Sequence, residues 1–216
     1  MSPYNILYNS LILVAFLLSF IAFTRGYKRF GILSLLLFIT SMVELSALYL
    51  IDKKTDFTWL YHIYNVIEYT LFCSFLVYSI ASKRIVRLVK ISIPFFVLSG
   101  LSLSYFKYQF TGFPGLNINI EGFLLSVICL YILFNLEVIE EGSIFNNYNF
   151  WICAGILIFF GTTFFFNGVF ARISSLSLEK AMLLFSTINR PLNVILYSFI
   201  ITGVSCLLAS RKHIIQ

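Results

Sequence analysis

Apolar residues occur along this chain in long runs that are separated by short polar connections. Seven runs can be identified, at 4–23, 30–51, 57–81, 88–106, 118–139, 150–171 and 182–209. About 20 apolar residues in a helix are enough to cross the hydrocarbon core of a bilayer. Since the connections are short, consecutive helices should be antiparallel neighbours. The pattern predicts an all-α, polytopic membrane bundle of seven transmembrane helices, forming a single integral-membrane domain over 1–216 with no soluble domain.

The third run begins with a stretch that is more polar than its surroundings, WLYHIYNVIEY at 59–69. It carries His62, Asn65 and Glu68 at intervals of three residues. On a helix these side chains share an arc of about 120°. An ionisable residue within a membrane span is costly to insert and marks a candidate functional site. The stretch therefore predicts that this helix lines a polar site.

Composition supports the membrane class and excludes several others. Hydrophobic residues make up 60% of the chain and charged residues 11%, too few to cover the surface of a soluble domain. The net charge is +6, but the chain has no basic domain that could bind nucleic acid. The positive charge therefore indicates contact with anionic lipid. All four cysteines lie within apolar runs, so we expect no disulfide, no metal site and no cofactor.

The distribution of lysine and arginine predicts the orientation. Nine basic residues lie after runs one and three and in the C-terminal tail, against five on the opposite side. Cytoplasmic connections carry the excess of positive charge, so the N-terminus should be outside and the C-terminus cytoplasmic, in the inner or plasma membrane. The acidic connection 140–149, which has no basic residue, weakens this assignment.

Runs three and seven resemble each other at a constant offset of 128 residues. His62-x-x-Asn65-Val-Ile-x-Tyr69 lies over Arg190-x-x-Asn193-Val-Ile-x-Tyr197 without gaps. Chance similarity between apolar helices is the alternative explanation, but asparagine is uncommon in such runs. The match predicts a 3+1+3 parallel internal repeat, with repeat one at 4–81, a linker helix at 88–106 and repeat two at 118–209.

This plan resembles that of the sugar-transporting SWEET proteins and, more distantly, that of microbial rhodopsins. The resemblance covers helix count, polarity and repeat layout. Run seven has no lysine for a retinal Schiff base, and the connections have no Pro-Gln signature. Parallel repeats are common in transporters, whose substrate sites lie near the bilayer midplane at the repeat interface.

Polar residues from five runs converge at similar depth on the predicted outer side, roughly 5–17 Å below the interface. They predict an outward-facing polar pocket that binds ligand through Glu44, His62, Asn65, Glu68, Glu121, Asn167, Asn189, Arg190, Asn193 and Tyr197. Arg190 should pair with Glu68 or Glu44, because an isolated charge at this depth is costly. The alternative role for the amides and Tyr197 is hydrogen bonding between helices.

Two features of the outer side have alternative interpretations. His62 is either an interfacial side chain near Trp59 and Tyr61 or a titrating group of the pocket. The aromatic connection 107–117 is either an interfacial turn or a flap over the outward-facing opening.

Three functions fit these residues. The first is transport or permeation of a small polar or zwitterionic solute, with Arg190 meeting an anionic group and Glu44 or Glu68 a cationic one. The second is a seven-helix sensor, accessory or effector subunit, which would act through a cytoplasmic partner protein at the basic inner connection 83–90 and the tail. An intramembrane lipid-modifying enzyme is less favoured, because no catalytic nucleophile–base signature or metal-ligand cluster is present.

Overall fold

A computed structural model describes residues 3–136, 143–174 and 178–210, of which 168–174 and 178–186 are described by their backbone alone. Within these ranges the regular structure is helical throughout. The seven α-helices are α1 (Pro3–Thr24), α2 (Arg29–Asp52), α3 (Thr58–Leu76), α4 (Lys83–Phe106), α5 (Gly115–Phe134), α6 (Tyr148–Ser174) and α7 (Leu178–Ser210). Short 3₁₀ turns follow α3 at Val77–Ser79 and precede α6 at Ile144–Asn146.

Six of the seven helices are long and apolar enough to cross a membrane, and α3 is the exception. The polar residues His62, Asn65 and Glu68 lower the hydropathy of α3, which is 19 residues long. The prediction of an all-helical bundle with several apolar spans is confirmed, and this architecture is compatible with a membrane protein. The prediction that α3 also spans the membrane stays a prediction.

Three helices differ most from the predicted runs, each by five residues at one end. Helix α3 ends at Leu76 rather than at residue 81, because the chain tightens into the 3₁₀ turn Val77–Ser79. Helix α4 begins at Lys83, so the predicted basic connection 83–87 is helical. Helix α5 ends at Phe134. The remainder of its predicted range, at 137–139, and the tail 211–216 lie outside the described residues.

Six helices form a closed ring, in which the neighbours follow the order α1, α2, α3, α5, α6, α7 and back to α1. Contacts between α3 and α5 and between α1 and α7 close the ring, while α4 packs outside it against α3. Helices α1, α3, α5 and α7 begin at one end of the bundle, which we call the N-terminal end. The predicted linker helix thus corresponds to the one described helix outside the ring.

At the opposite end of the bundle, Arg29 of α2 contacts α3, the 3₁₀ turn that follows it, and α6. Its guanidinium group lies 4.5 Å from the ring centroid of Tyr148 and 5.9 Å from that of Phe75. The same group donates to the Ser79 hydroxyl at 3.1 Å, and Ser79 donates to the Asn149 side-chain oxygen at 2.8 Å. A half-buried arginine therefore holds the starts of α2 and α6 against the 3₁₀ turn that ends α3.

The connection between α2 and α3 is fixed by a carboxylate at the helix start. Asp56 accepts hydrogen bonds from the Thr58 backbone N–H at 2.9 Å and from its hydroxyl at 2.6 Å. These bonds lower the pKa of the Asp56 carboxyl below its ordinary value, because they stabilise the charged form.

Glycines allow α5, α6 and α7 to approach one another closely. A Cβ atom on Gly203 would lie 2.8 Å from Ile152 and 2.9 Å from the Tyr148 carbonyl oxygen. On Gly161, by contrast, the nearest atom would be the Ser126 hydroxyl at an ordinary 3.5 Å. Small residues at helix contacts are typical of membrane bundles.

We expect Gly203→Ala to destabilise the protein by about 1–3 kcal/mol, because the added methyl group overlaps the backbone of α6. Gly161→Ala is the matched control and should be neutral or stabilising by up to about 1 kcal/mol, since alanine favours the helix. Thermal unfolding of both variants in the same lipid or detergent measures the difference. Equal melting temperatures for the two would contradict the close α6–α7 contact.

Candidate functional site

Polar side chains at the N-terminal end of the bundle form two adjacent clusters. The first, which we call the tyrosine–carboxylate cluster, lies among α1, α2, α3 and α7 and contains Tyr8, Glu44, Tyr64, Glu68 and Tyr197. The second, which we call the histidine–amide cluster, lies among α3, α4 and α5 and contains His62, Asn65, Ser104, Asn117 and Glu121. Helix α3 contributes to both clusters.

Helical spacing places several members of the first cluster one turn apart. Tyr64 lies one turn before Glu68, and its hydroxyl donates to the Glu68 carboxylate at 2.9 Å. The same hydroxyl lies 2.7 Å from the hydroxyl of Thr40 on α2. On α1, the rings of Tyr4 and Tyr8 stack with centroids 5.8 Å apart. Aromatic hydroxyls from two helices thus approach the carboxylates.

Glu44 and Glu68 lie close enough to interact electrostatically across the α2–α3 interface. Tyr8 interacts with Glu44, and its ring meets that of Tyr197 edge to face at 5.7 Å. Both glutamates remain partly exposed, whereas the three tyrosines of the cluster are buried. Two acids therefore lie close together among buried tyrosine side chains.

The predicted ion pair of Arg190 with Glu44 or Glu68 is wrong. Arg190 is exposed, and its guanidinium group lies over the ring of Tyr4, 5.1 Å from the centroid. The Tyr4 hydroxyl donates to the Arg190 carbonyl oxygen at 3.4 Å. Among the described residues no carboxylate pairs with Arg190. Tyr4 also interacts electrostatically with both Glu44 and Arg190, so it is close to both residues.

Asn193 of α7 lies near this cluster, and Asn167 is a second buried amide, on α6. Asn193 is nearly buried, and its side-chain N–H donates to the Asn189 carbonyl at 2.9 Å, while α7 continues through Pro191 as a helix. Asn193 also interacts with Tyr4. Asn167 on α6 is 5% exposed, and neither polar atom of its side chain has a hydrogen-bond partner in the part of the chain that the structure describes. The sequence pattern therefore located Asn193 near Arg190, but it gave no partner for Asn167.

His62 is fully buried, so it is not an interfacial side chain. Its two ring nitrogens join α3 to α4 and to the α4–α5 connection. Its Nε2 lies 2.8 Å from the Gly112 carbonyl oxygen, which can only accept, so Nε2 carries a proton. In the neutral ring Nδ1 then accepts from the Ser104 hydroxyl at 2.9 Å. Ser104 in turn accepts from the Asn117 side-chain amide at 3.1 Å. A serine–histidine contact of this kind is typical of nucleophile activation, but here both residues are sealed inside the bundle.

The aromatic connection between α4 and α5 closes over His62. The histidine ring lies 5.6 Å from that of Tyr108 and 5.5 Å from that of Phe110. Gln109 and Phe110 adopt positive φ angles of 50° and 59°, a backbone conformation that residues other than glycine rarely adopt. The structure thus shows this segment packed against the buried histidine, and both interpretations of the segment, an interfacial turn or a flap, stay predictions.

Asn65 and Glu121 meet at the α3–α5 interface. The Asn65 side-chain N–H donates to the Glu121 carboxylate, and both residues are almost completely buried. The other oxygens of these two side chains, Asn65 Oδ1 and Glu121 Oε1, have no hydrogen-bond partner among the described residues. Glu121 also interacts electrostatically with Glu68, which links the two clusters.

A groove of about 460 Å³ between α2 and α3 has no member of either cluster in its lining. It is lined by Met42, Leu45, Ser46, Tyr49, Leu50, Trp59 and Leu60. With no ionisable acid or base in its walls, it is a surface for apolar contacts. The polar chemistry of the N-terminal end therefore lies in the two clusters.

Comparison of the chain with protein-family models, with curated proteins and with solved structures found no match. The class of protein consequently follows from the fold alone. The chain is an all-helical bundle with several apolar helices of membrane-spanning length, compatible with a multi-pass membrane protein.

Several members of the clusters, and residues that contact those members, were missed by the sequence prediction. They are hydroxyl and amide side chains that take part through tertiary contacts, namely Tyr4, Tyr8, Thr40, Tyr64, Ser104 and Asn117. One signal could have revealed Tyr64, because it lies one helical turn before Glu68. For Ser104 no local signal existed, since its histidine partner is 42 residues away in the chain.

Proposed function

We propose that the protein is a multi-pass membrane protein that binds a small zwitterionic solute at the N-terminal end of the bundle and transports it. The observation that carries this proposal is the pair Glu44 and Glu68, two neighbouring carboxylates with no cationic partner among the described residues. Acidic side chains within an apolar bundle are costly and are not needed for its stability. A cationic group of a solute would supply the missing countercharge.

The position of Arg190 suggests how the other end of the solute is bound. Its guanidinium group is exposed and stacked on Tyr4, so its N–H groups are accessible to a carboxylate, which arginine can bind through two hydrogen bonds. Glu44 interacts electrostatically with the same tyrosine. A molecule with an anionic and a cationic group would therefore contact Arg190 and the two glutamates at once, with the tyrosine rings around its apolar part.

The order of the helices supports transport through a parallel repeat. Exchange of α1, α2 and α3 with α5, α6 and α7 leaves the neighbours in the six-helix ring unchanged, with α4 as the linker. A site near the repeat interface is the arrangement found in many transporters. The proposed solute site lies where α7 of the second repeat meets α1 of the first.

The first experiment identifies a ligand from a defined panel. The full-length protein is screened by thermal shift against zwitterionic amino acids, betaines, polyamines and uncharged sugars, since a ligand that binds the folded state raises the melting temperature. A zwitterionic compound that raises it is then tested for uptake into liposomes containing the protein. Failure of every zwitterion in the panel, or uptake by empty liposomes at the same rate, would contradict the proposal.

Arg190→Ala should weaken binding of that zwitterion by roughly 10–100-fold, because a hydrogen bond to a charged group contributes about 1.5–3 kcal/mol. Stability should fall by only about 0.5–1 kcal/mol, the value of an exposed cation–π contact. The matched control is Lys53→Ala, which removes a cation 5.8 Å from the Tyr49 ring at the same end of the bundle. Uptake at the full rate in Arg190→Ala would rule out the assigned role.

A further inference from the structure

Glu121 is the most deeply buried carboxylate among the described residues, with 1% of its surface exposed. One of its oxygens accepts from Asn65, and the other, Oε1, has no hydrogen-bond partner among the residues that the structure describes. Asn65 Oδ1 also has no partner, although Asn65 is only 3% exposed. If Glu121 is ionised, both of these atoms are acceptors only, and a buried negative charge is left with a single hydrogen bond.

A single proton on Glu121 Oε1 would give both unpartnered oxygen atoms a hydrogen bond. A carboxylic acid and a primary amide are complementary: the amide N–H donates to one carboxyl oxygen, and the acid O–H donates to the amide oxygen. Here the first of these two bonds is present, and the two unpartnered oxygens are those that the second would join. Burial of a carboxyl group in apolar surroundings also favours its neutral form.

We propose that Glu121 and Asn65 form a proton-binding site, in which a proton on Glu121 Oε1 is donated to Asn65 Oδ1. The site is distinct from the proposed solute site at Glu44, Glu68 and Arg190, and the inference does not depend on which solute that site binds. Because both side chains are sealed from the surface, the proton is held between two helices, α3 and α5.

The ionisable groups that interact with Glu121 are the candidates for exchanging its proton. Glu68, Tyr69 and Cys73, all on α3, interact electrostatically with Glu121. Among the described residues of α4, α5 and α6, no lysine, arginine or second acid does so. Glu68 is thus the acid that joins Glu121 to the partly exposed Glu44. In this exchange the O–H bond on Glu121 breaks, an O–H bond on Glu68 forms, and the negative charge passes to Glu121.

Infrared spectroscopy of the full-length protein in lipid at neutral pH tests the proton site directly. The difference spectrum between wild type and Glu121→Gln should contain the C=O stretching band of a protonated carboxylic acid. The variant should fold, because glutamine has the same shape and can pair with Asn65 through two amide hydrogen bonds. Loss of carboxylate stretching bands instead of the acid band would show that Glu121 is ionised and would overturn the proposal.

Asn65→Leu provides an independent measurement. Without the amide, the acid band should persist and shift to higher wavenumber, because its C=O no longer accepts a hydrogen bond. A band at the wild-type position in Asn65→Leu would overturn the acid–amide pair. In Glu68→Gln the exchange of the acid proton in D₂O should slow several-fold, and an unchanged rate would exclude Glu68 as the route.

Discussion

Replacement of Glu68 by glutamine should abolish high-affinity solute binding while leaving the fold intact. The glutamine side-chain oxygen can still accept the hydrogen bond that Tyr64 now donates at 2.9 Å, so the local packing is retained. The negative charge that we assign to the cationic group of the solute is lost. Loss of a charged partner in a partly buried pocket lowers affinity by about 1.5–3 kcal/mol, roughly 10–100-fold.

The effect should be larger when both carboxylates are neutralised. Because Glu44 and Glu68 interact with each other, their contributions are coupled, and the double variant Glu44→Gln/Glu68→Gln measures the coupling. Binding is measured by thermal shift and uptake by liposome assay, with the zwitterion selected from the panel. Asp56→Asn is the matched control, since it neutralises an exposed carboxylate at the same end of the bundle. A double variant that binds the zwitterion with wild-type affinity would exclude the carboxylates from the site.

The fold was largely predictable because apolar run length dictates it. An apolar run that can cross a bilayer as a helix is about 20 residues long, so it is easily recognised in a sequence. The polar connections then separate one helix from the next. The predicted helix boundaries were wrong where a charged segment is helical and where the end of an apolar run is not part of the α-helix. Helix α4 begins within the basic segment at Lys83, because lysine and arginine can extend along a helix while their charged ends reach water. Helix α3 ends early because Ser79 forms hydrogen bonds with Arg29 and Asn149. These residues are distant in the chain, so no local sequence pattern predicts the contacts.

The site was predictable in its location and less so in its contacts. The spacing of His62, Asn65 and Glu68 identified α3 as the polar helix, and the structure brings residues from α1, α2, α5 and α7 to it. The spacing could not show that α3 faces two clusters, since that depends on how α4 and α5 pack against it. Nor could it show that Arg190 meets an aromatic ring, because the register of α1 against α7 is not encoded locally.

We infer that α3 has two faces with different roles, one for the proposed solute binding and one for stability. Glu68 faces the partly exposed tyrosine–carboxylate cluster, whereas His62 and Asn65 face the sealed histidine–amide cluster. These two roles predict opposite phenotypes. Variants of Glu68 should lose ligand without losing the fold, and variants of His62 should lose the fold.

His62→Leu should destabilise the protein by about 2–4 kcal/mol, the largest effect on stability that we expect from a single side chain. The substitution removes both hydrogen bonds of the ring and leaves the Gly112 carbonyl and the Ser104 hydroxyl without that partner. It also removes the surface on which Tyr108 and Phe110 pack. Thermal unfolding measures the loss, and amide hydrogen exchange should rise over 107–114.

The control for this variant is Trp59→Leu, one turn earlier on the same helix. Trp59 is 43% exposed and lines the apolar groove, so its replacement by another apolar residue should change stability by about 0.5 kcal/mol or less. His62→Gln should recover part of the loss, because its side-chain amide can still donate to the Gly112 carbonyl. If His62→Leu and Trp59→Leu unfold at the same temperature as wild type, the buried histidine does not hold the α4–α5 connection. In that case the connection would be free to open over the histidine–amide cluster.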